Sequence, residues 1–176
     1  MAKRSAALLL YRLTDESGLE VLVAHMGGPF WAKENARGWS IPKGEYEDHE
    51  EPLATALREF EEEMGSAAPG GRVIELGENK QPSGKVITTY AIESDFDVST
   101  FHSNTFEMEW PKGSGQMQEF PEVDRAAWMS AGQAAQMLVK GQVPIIEALG
   151  DYLIADGVSG ERIARSFSDD RAETLF

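Results

Sequence analysis

The spacing of apolar positions divides the chain into short extended segments at its start, one amphipathic helix ahead of position 66, further strands, and two later helices. Residues 5–11 and 19–25 are rich in Leu, Val and Ala and flank the turn-forming stretch 14–18, so they read as a β-hairpin. Residues 27–31 combine Gly27, Gly28 and Pro29 with Phe30 and Trp31, a loop composition that often carries function. Residues 39–42 form a brief extended segment, because Pro42 biases its predecessor away from helix, and Lys43 with Gly44 marks a turn. Pro52 suits a first helical turn and Gly65 the position just past a last one, which predicts a helix over about 51–64. Strands are expected at 72–76, 85–93, 105–110 and 125–129; the loop between the last two holds Lys112, Gln118, Glu119 and Glu122. Ser130 caps a helix running to about 139, Pro144 opens another at 143–155, and the polar stretch from about Ser166 is expected to fray. At 176 residues, with no internal repeat or linker, this order predicts one α/β domain spanning 1–176, a sandwich whose mixed sheet lies between helices.

Composition narrows the setting. No stretch approaches the ~20 apolar residues of a membrane span, and the apolar run 6–10 is too brief for an export signal. The absence of cysteine rules out disulfides and thiolate metal sites and fits a cytoplasmic protein. Thirty acidic residues against sixteen basic ones leave a formal charge of −14, which disfavours nucleic acid and anionic membranes as partners. The same field repels a small polyphosphate, so an enzyme acting on one needs divalent cations or a local lysine cluster.

On a helix advancing ~100° per residue, Leu53, Leu57, Phe60 and Met64 form an apolar stripe, while Glu59, Glu62 and Glu63 gather about 150° away. A solvated helix face is the plain reading of such a run. Yet acidic groups in a last turn oppose the helix dipole, and the like-charge pair Glu59 and Glu63 costs roughly 0.2 to 0.5 kcal/mol. A hard divalent cation reverses that sign, since converging carboxylate oxygens are the ligands that Mg2+ or Mn2+ take.

Residues 44–66 resemble the Nudix box, G-x5-E-x7-R-E-U-x-E-E-x-G-U with U a bulky apolar residue. Gly44, Glu50, Arg58, Glu59, Phe60, Glu62, Glu63 and Gly65 stand at the required spacing, and Ser66 departs from the final apolar position. Eight fixed positions across 23 residues, with a loop before a helix, make this far more specific than a lone glycine motif. The Ser66 departure bears on packing after the helix, not on chemistry.

The resemblance implies a Nudix-type α/β/α sandwich and Mg2+- or Mn2+-dependent hydrolysis of a phosphoanhydride bond. Its substrate would be a small nucleotide, either a nucleoside diphosphate-X or a dinucleoside polyphosphate. It makes Glu59, Glu62 and Glu63 the metal ligands, lets Arg58 orient a carboxylate, gives Gly44 and Gly65 structural roles, and makes Glu50 a structural or secondary acidic partner. An i,i+4 pair with Glu62 accounts equally for Arg58. The stretch 39–45 is similar to the subgroup of diadenosine tetraphosphate hydrolases and predicted nucleoside triphosphate pyrophosphohydrolases. ADP-ribose, a damaged nucleotide, or a nucleotide-sensing domain without turnover stand as alternatives.

The rest of the site follows from residue chemistry. Glu62 is the first candidate for the general base by resemblance, with Glu119 or Glu122 as alternatives. Lys43 suits phosphate oxygens. Phe30, Trp31, Tyr90 and Trp110 are the aromatics that could stack on a base, although most large aromatics in so small a chain go to the core, as is expected of Trp39. His25, His49 and His102 lack the spacing of an imidazole metal site and receive no role.

Overall fold

The computed structural model describes residues 2–168. Strands β1 (Arg4–Thr14) and β2 (Gly18–Met26) form the expected antiparallel hairpin, longer at both ends than hydrophobicity alone suggests. Next come β3 (Trp39–Ser40), β4 (Lys43–Glu45) and helix α1 (Pro52–Met64). The chain continues through β5 (Val73–Lys80), β6 (Val86–Glu93), β7 (Thr105–Glu109), β8 (Met117–Pro121) and β9 (Val123–Ser130). It closes with α2 (Ala131–Met137), α3 (Val143–Ala155) and α4 (Gly160–Phe167).

Seven strands make one sheet in the order β3-β2-β1-β6-β5, with β4 paired to β1 and β9 to β2. The sheet is mixed because β1 runs parallel to β6 and antiparallel to its other partners. The unbroken apolar run of β1 has a direct cause: the strand is buried on both faces. Ala7, Leu9 and Tyr11 point to a core shared with α2, α3 and α4, whereas Ala6, Leu8 and Leu10 point to a second core shared with α1. The α/β/α sandwich follows from that split. Strands β7 and β8 form a separate two-stranded ribbon beside it.

Four expectations change. Lys43 and Gly44 are not a turn but part of β4, whose residues pair with Ala7 and Ala6 of β1; the preceding proline had masked an extended segment. The 111–124 loop contains β8, whose Met117, Phe120 and Pro121 lay hidden among polar residues. The stretch from Ser166 begins inside α4, capped by Ser159 on the Arg162 N–H, so its first residues are ordered helix; the tail expected to fray from there lies otherwise outside the described residues. Leu57 is 37% exposed at the margin of α1, and Ala56 takes its place in the stripe with Phe60 and Met64.

Helix α4 is tied to the sheet by one buried hydroxyl. Ser166 accepts a hydrogen bond from the Leu19 N–H at 2.7 Å and donates to the Arg162 carbonyl at 2.9 Å. Gly18 permits this approach, since a Cβ there would lie 2.3 Å from the Ser166 Oγ. Ser166→Ala strands the Leu19 amide in the interior, so urea denaturation should show a loss of about 1 to 3 kcal/mol with an unchanged m-value.

Candidate active site

Helix α1 presents its carboxylates in a graded way. Relative to the buried Ala56, the ~100° advance per residue places Glu63 about 20° away, Glu59 about 60° and Glu62 about 120° away. Glu63 and Glu59 are therefore drawn against the sheet, while Glu62 stays at the rim. Because Ala56 rather than Leu57 lies in the buried stripe, Glu63 sits deeper than the sequence pattern suggests.

Glu59 and Glu63 line a cleft of about 420 Å3 together with Lys43, Gly44, Trp31, Phe106 and Glu122. Gly44 is required by contact, since a Cβ on it would fall 2.0 Å from the Glu59 carboxyl carbon. Strand β4 and helix α1 thus meet with a carboxylate filling the space of a missing side chain. Glu63 also accepts a hydrogen bond from the Lys43 backbone N–H.

Burial dominates the electrostatics. It pushes the Glu63 carboxyl up to about 8, with Glu59 and Glu122 adding to the rise and Lys43 opposing it. Glu59 is raised by burial and by Glu62, and Glu122 likewise by burial and then Glu62. Burial and the charge of Lys85 lower the Lys43 ammonium. Four carboxylates and two lysines therefore act on one another in a confined space.

The other box residues have local tasks. Arg58 lies 3.2 Å from Glu59 and 3.3 Å from Glu62, so it orients a carboxylate and makes the i,i+4 pair at once. Glu50 accepts a hydrogen bond from the Glu47 N–H at 2.7 Å and closes the loop entering α1. Gly65 takes φ +86°, and a Cβ there would strike the His102 carbonyl at 2.3 Å. Ser66 is exposed, so its departure from the box leaves the core intact.

Several sequence candidates are placed elsewhere. Glu119 is exposed on β8; there Phe106 pairs with Phe120 and Glu107 with Glu119, so strand alternation turns Glu119 away from the face that carries Phe106 into the cleft. Glu122 takes the position facing the box. Tyr90 is only 9% exposed, in the core beneath α1 with Phe60, and does not line the cleft. Phe30 is 64% exposed and meets Trp110 edge to face at 5.5 Å, outside the cleft wall. Trp31 does line it, and Trp39 is buried as expected.

A residue that the sequence gave no sign of is Lys85. It bonds Glu45 at 3.3 Å and lines a neighbouring apolar chamber of about 360 Å3 with Met26, Trp31, Ile87 and Val139, which Lys43 joins to the acidic cleft. Only the parallel pairing of β1 with β6 brings it there, and no local pattern encodes that pairing. A wider depression of about 740 Å3 beside Lys3, Arg4 and Val86 touches none of the fixed box positions.

The donor set suits a hard cation. It is all oxygen, it is already crowded with negative charge, and Gly44 leaves the space against β4 that the Glu59 carboxyl fills. Among the described residues no three acidic or histidine side chains converge tightly enough, as they stand, to enclose an ion. Also among these residues, no helix is long and apolar enough to cross a membrane.

The comparisons agree with this architecture. No curated protein matches the chain. Among solved structures, the NUDIX domain of Shewanella oneidensis NrtR, complexed with ADP ribose, superposes with a TM-score of 0.57 at 18% identity, covering 87% of this chain and 89% of that one. A C. elegans Ap4A hydrolase gives 0.56 at 15% identity, covering 86% and 98%. A MutT/nudix family protein from Enterococcus faecalis gives 0.57 at 15% identity, covering 96% and 68%. At these identities the likeness is one of fold. The NUDIX domain family model matches residues 2–149, taking in the whole sheet, the acidic helix and most of α3, and on that match the chain belongs to the NUDIX family.

Proposed function

We propose that the chain is a Mg2+- or Mn2+-dependent pyrophosphohydrolase that cleaves a phosphoanhydride bond in a nucleoside diphosphate-X or a dinucleoside polyphosphate. One observation carries this reading: Glu59, Glu63 and Glu122 face one cleft beside Lys43, at the Nudix box, where their mutual repulsion calls for a cation. The ADP ribose and Ap4A named for the two structural neighbours support the substrate class. So does the apolar chamber beyond Lys43, which suits a nucleoside while the phosphates lie against the carboxylates.

Glu59, Glu62 and Glu63 would hold the metal, with Arg58 fixing the orientation of Glu59 and Glu62. When bound, a divalent ion supplies charge neutralisation at the phosphate oxygens and acidifies the attacking water. Lys43 pairs with a phosphate oxygen, and Trp31 walls the passage to the nucleoside chamber. The water oxygen attacks phosphorus, the bridging P–O bond breaks, and the water's proton passes to a carboxylate. We assign that base to Glu122, whose raised affinity for a proton matches the task, in place of Glu62 or Glu119.

A panel of ADP-ribose, diadenosine tetraphosphate and nucleoside triphosphates, assayed with Mg2+ and with Mn2+, should show turnover of at least one diphosphate-linked member; silence across the panel with both metals sinks the reading. On the active substrate, Glu63→Gln and Glu122→Gln should each lower kcat at least ~10²-fold while Glu119→Gln stays within about twofold. Comparable losses for Glu119→Gln and Glu122→Gln would contradict the assignment of the base.

Stability should carry the mark of Glu63. Its carboxyl ionises in the ordinary range when unfolded but holds its proton up to about 8 in the fold, so the native state binds the extra proton between those limits. The sign is then fixed: Tm in chelator falls as pH rises from about 5 to about 8, and Mg2+ at the upper end restores part of it. Glu63→Gln should flatten most of that fall in calorimetry, and an equally steep fall in the variant would refute its source.

A further inference from the structure

His25 has no part in the chemistry above, yet its side chain is fully buried and bonded through both ring nitrogens. Its Nδ1 lies 2.7 Å from the Asp124 carboxylate on β9, and its Nε2 makes a short contact with the Glu34 carbonyl in the loop 27–38. That loop begins at a register shift between His25 and Met26, and it carries Trp31 to the wall of the cleft. Trp31 lies one turn away: the Glu34 N–H donates a hydrogen bond to the Trp31 carbonyl at 3.0 Å. Gly38 makes room for the arrangement, since a Cβ there would sit 2.7 Å from the Glu34 carbonyl oxygen and 3.0 Å from the His25 Nε2.

Both partners of the ring are acceptors. A neutral imidazole has one N–H and can satisfy only one of them, whereas the imidazolium satisfies both. The charged residues on the elements packed against the ring are Asp124 and Arg125 on β9 and Lys33, Glu34 and Arg37 on the loop. Arg125 lies 3.7 Å from Asp124 and stacks over Trp39, whose ring meets His25 edge to face. Arg37 fastens the far end of the loop to the Ala135 and Leu138 carbonyls and the Met26 N–H holds Gly38, while His25 holds the loop at Glu34.

We propose that His25 is a positioning residue that latches the Trp31 wall of the cleft to β9, closed in its doubly protonated state and half-released when the ring loses a proton. This deepens the reading of the cleft as a nucleotide site and depends on it only for its kinetic consequence. The proton state of one buried ring then sets how well the cleft is preformed for its substrate. Loss of the Glu34 bond lets Trp31 move and weakens binding, without touching the carboxylates that act on the phosphate.

The test follows the His25 ring and the Trp31 indole by 1H–15N NMR over a pH series without substrate, with the indole assigned through Trp31→Phe. The same series gives kcat and KM for the panel substrate that the protein turns over. In the wild type the indole signal should move together with the ring titration while KM rises about tenfold and kcat stays within about twofold, the scale of one lost hydrogen bond to a charged group. Asp124→Asn, at a half-exposed position, is the discriminating variant. Its carboxamide N–H can donate to the neutral ring while Nε2–H still reaches Glu34, so both the indole signal and KM should become insensitive to pH. His25→Gln should hold KM high at every pH. A Trp31 signal that ignores the ring titration, a ring that keeps one protonation state throughout, or an Asp124→Asn profile like the wild type overturns the latch. Absence of turnover across the whole substrate panel would count against the proposed function instead, because the spectra decide the latch without substrate.

Discussion

The site rests on a conflict of charge that the fold holds in place. Glu59 and Glu63 occupy the last turns of α1, where the helix dipole disfavours anions, in a protein of formal charge −14, and they are pressed against β4 by the packing of Phe60 and Met64. Gly44 leaves the space that the Glu59 carboxyl occupies, which any side chain there would take. Protonation of Glu63 relieves the strain in one way, and a divalent cation relieves it in another that also attracts phosphate.

The rest of the molecule serves that arrangement. The doubly buried β1 supplies the rigid centre, with β4 on one side bringing Lys43 and Gly44 and β6 on the other bringing Lys85. Lys43 and Lys85 both line the apolar chamber, so the polyphosphate proposed above, repelled by the protein as a whole, would meet basic side chains there. Phe106, on the β7–β8 ribbon, and Trp31, on the loop after β2, form two further walls of the cleft.

Much of this was legible in the sequence, for reasons that differ from residue to residue. Pro52, Gly65 and the apolar period set the bounds of α1 to within one residue, and the box spacing marked Gly44, Arg58 and the three glutamates. Local signals of that kind act within a few residues. The depth order Glu63, Glu59, Glu62 was not legible, because it depends on Ala56 rather than Leu57 meeting the sheet. Nor was the choice of Glu122 over Glu119, which rests on the register of β7 against β8, or the arrival of Lys85, which rests on a parallel pairing of strands about 80 residues apart. Tyr90 and Phe30 lie outside the cleft wall for different reasons: Tyr90 on β6 faces the core beneath α1, and Phe30 stands exposed in the loop after β2, and an aromatic's type signals neither placement.

The central claim is that these carboxylates take up a divalent cation. Mn2+ titration followed by electron paramagnetic resonance of the free ion measures this without any substrate. Saturable uptake by the wild type that is lost, or weakened at least ~10-fold, when Glu59 and Glu63 are both changed to Gln is the result expected. Uptake that is undiminished in the double variant, or absent from the wild type, would contradict the account.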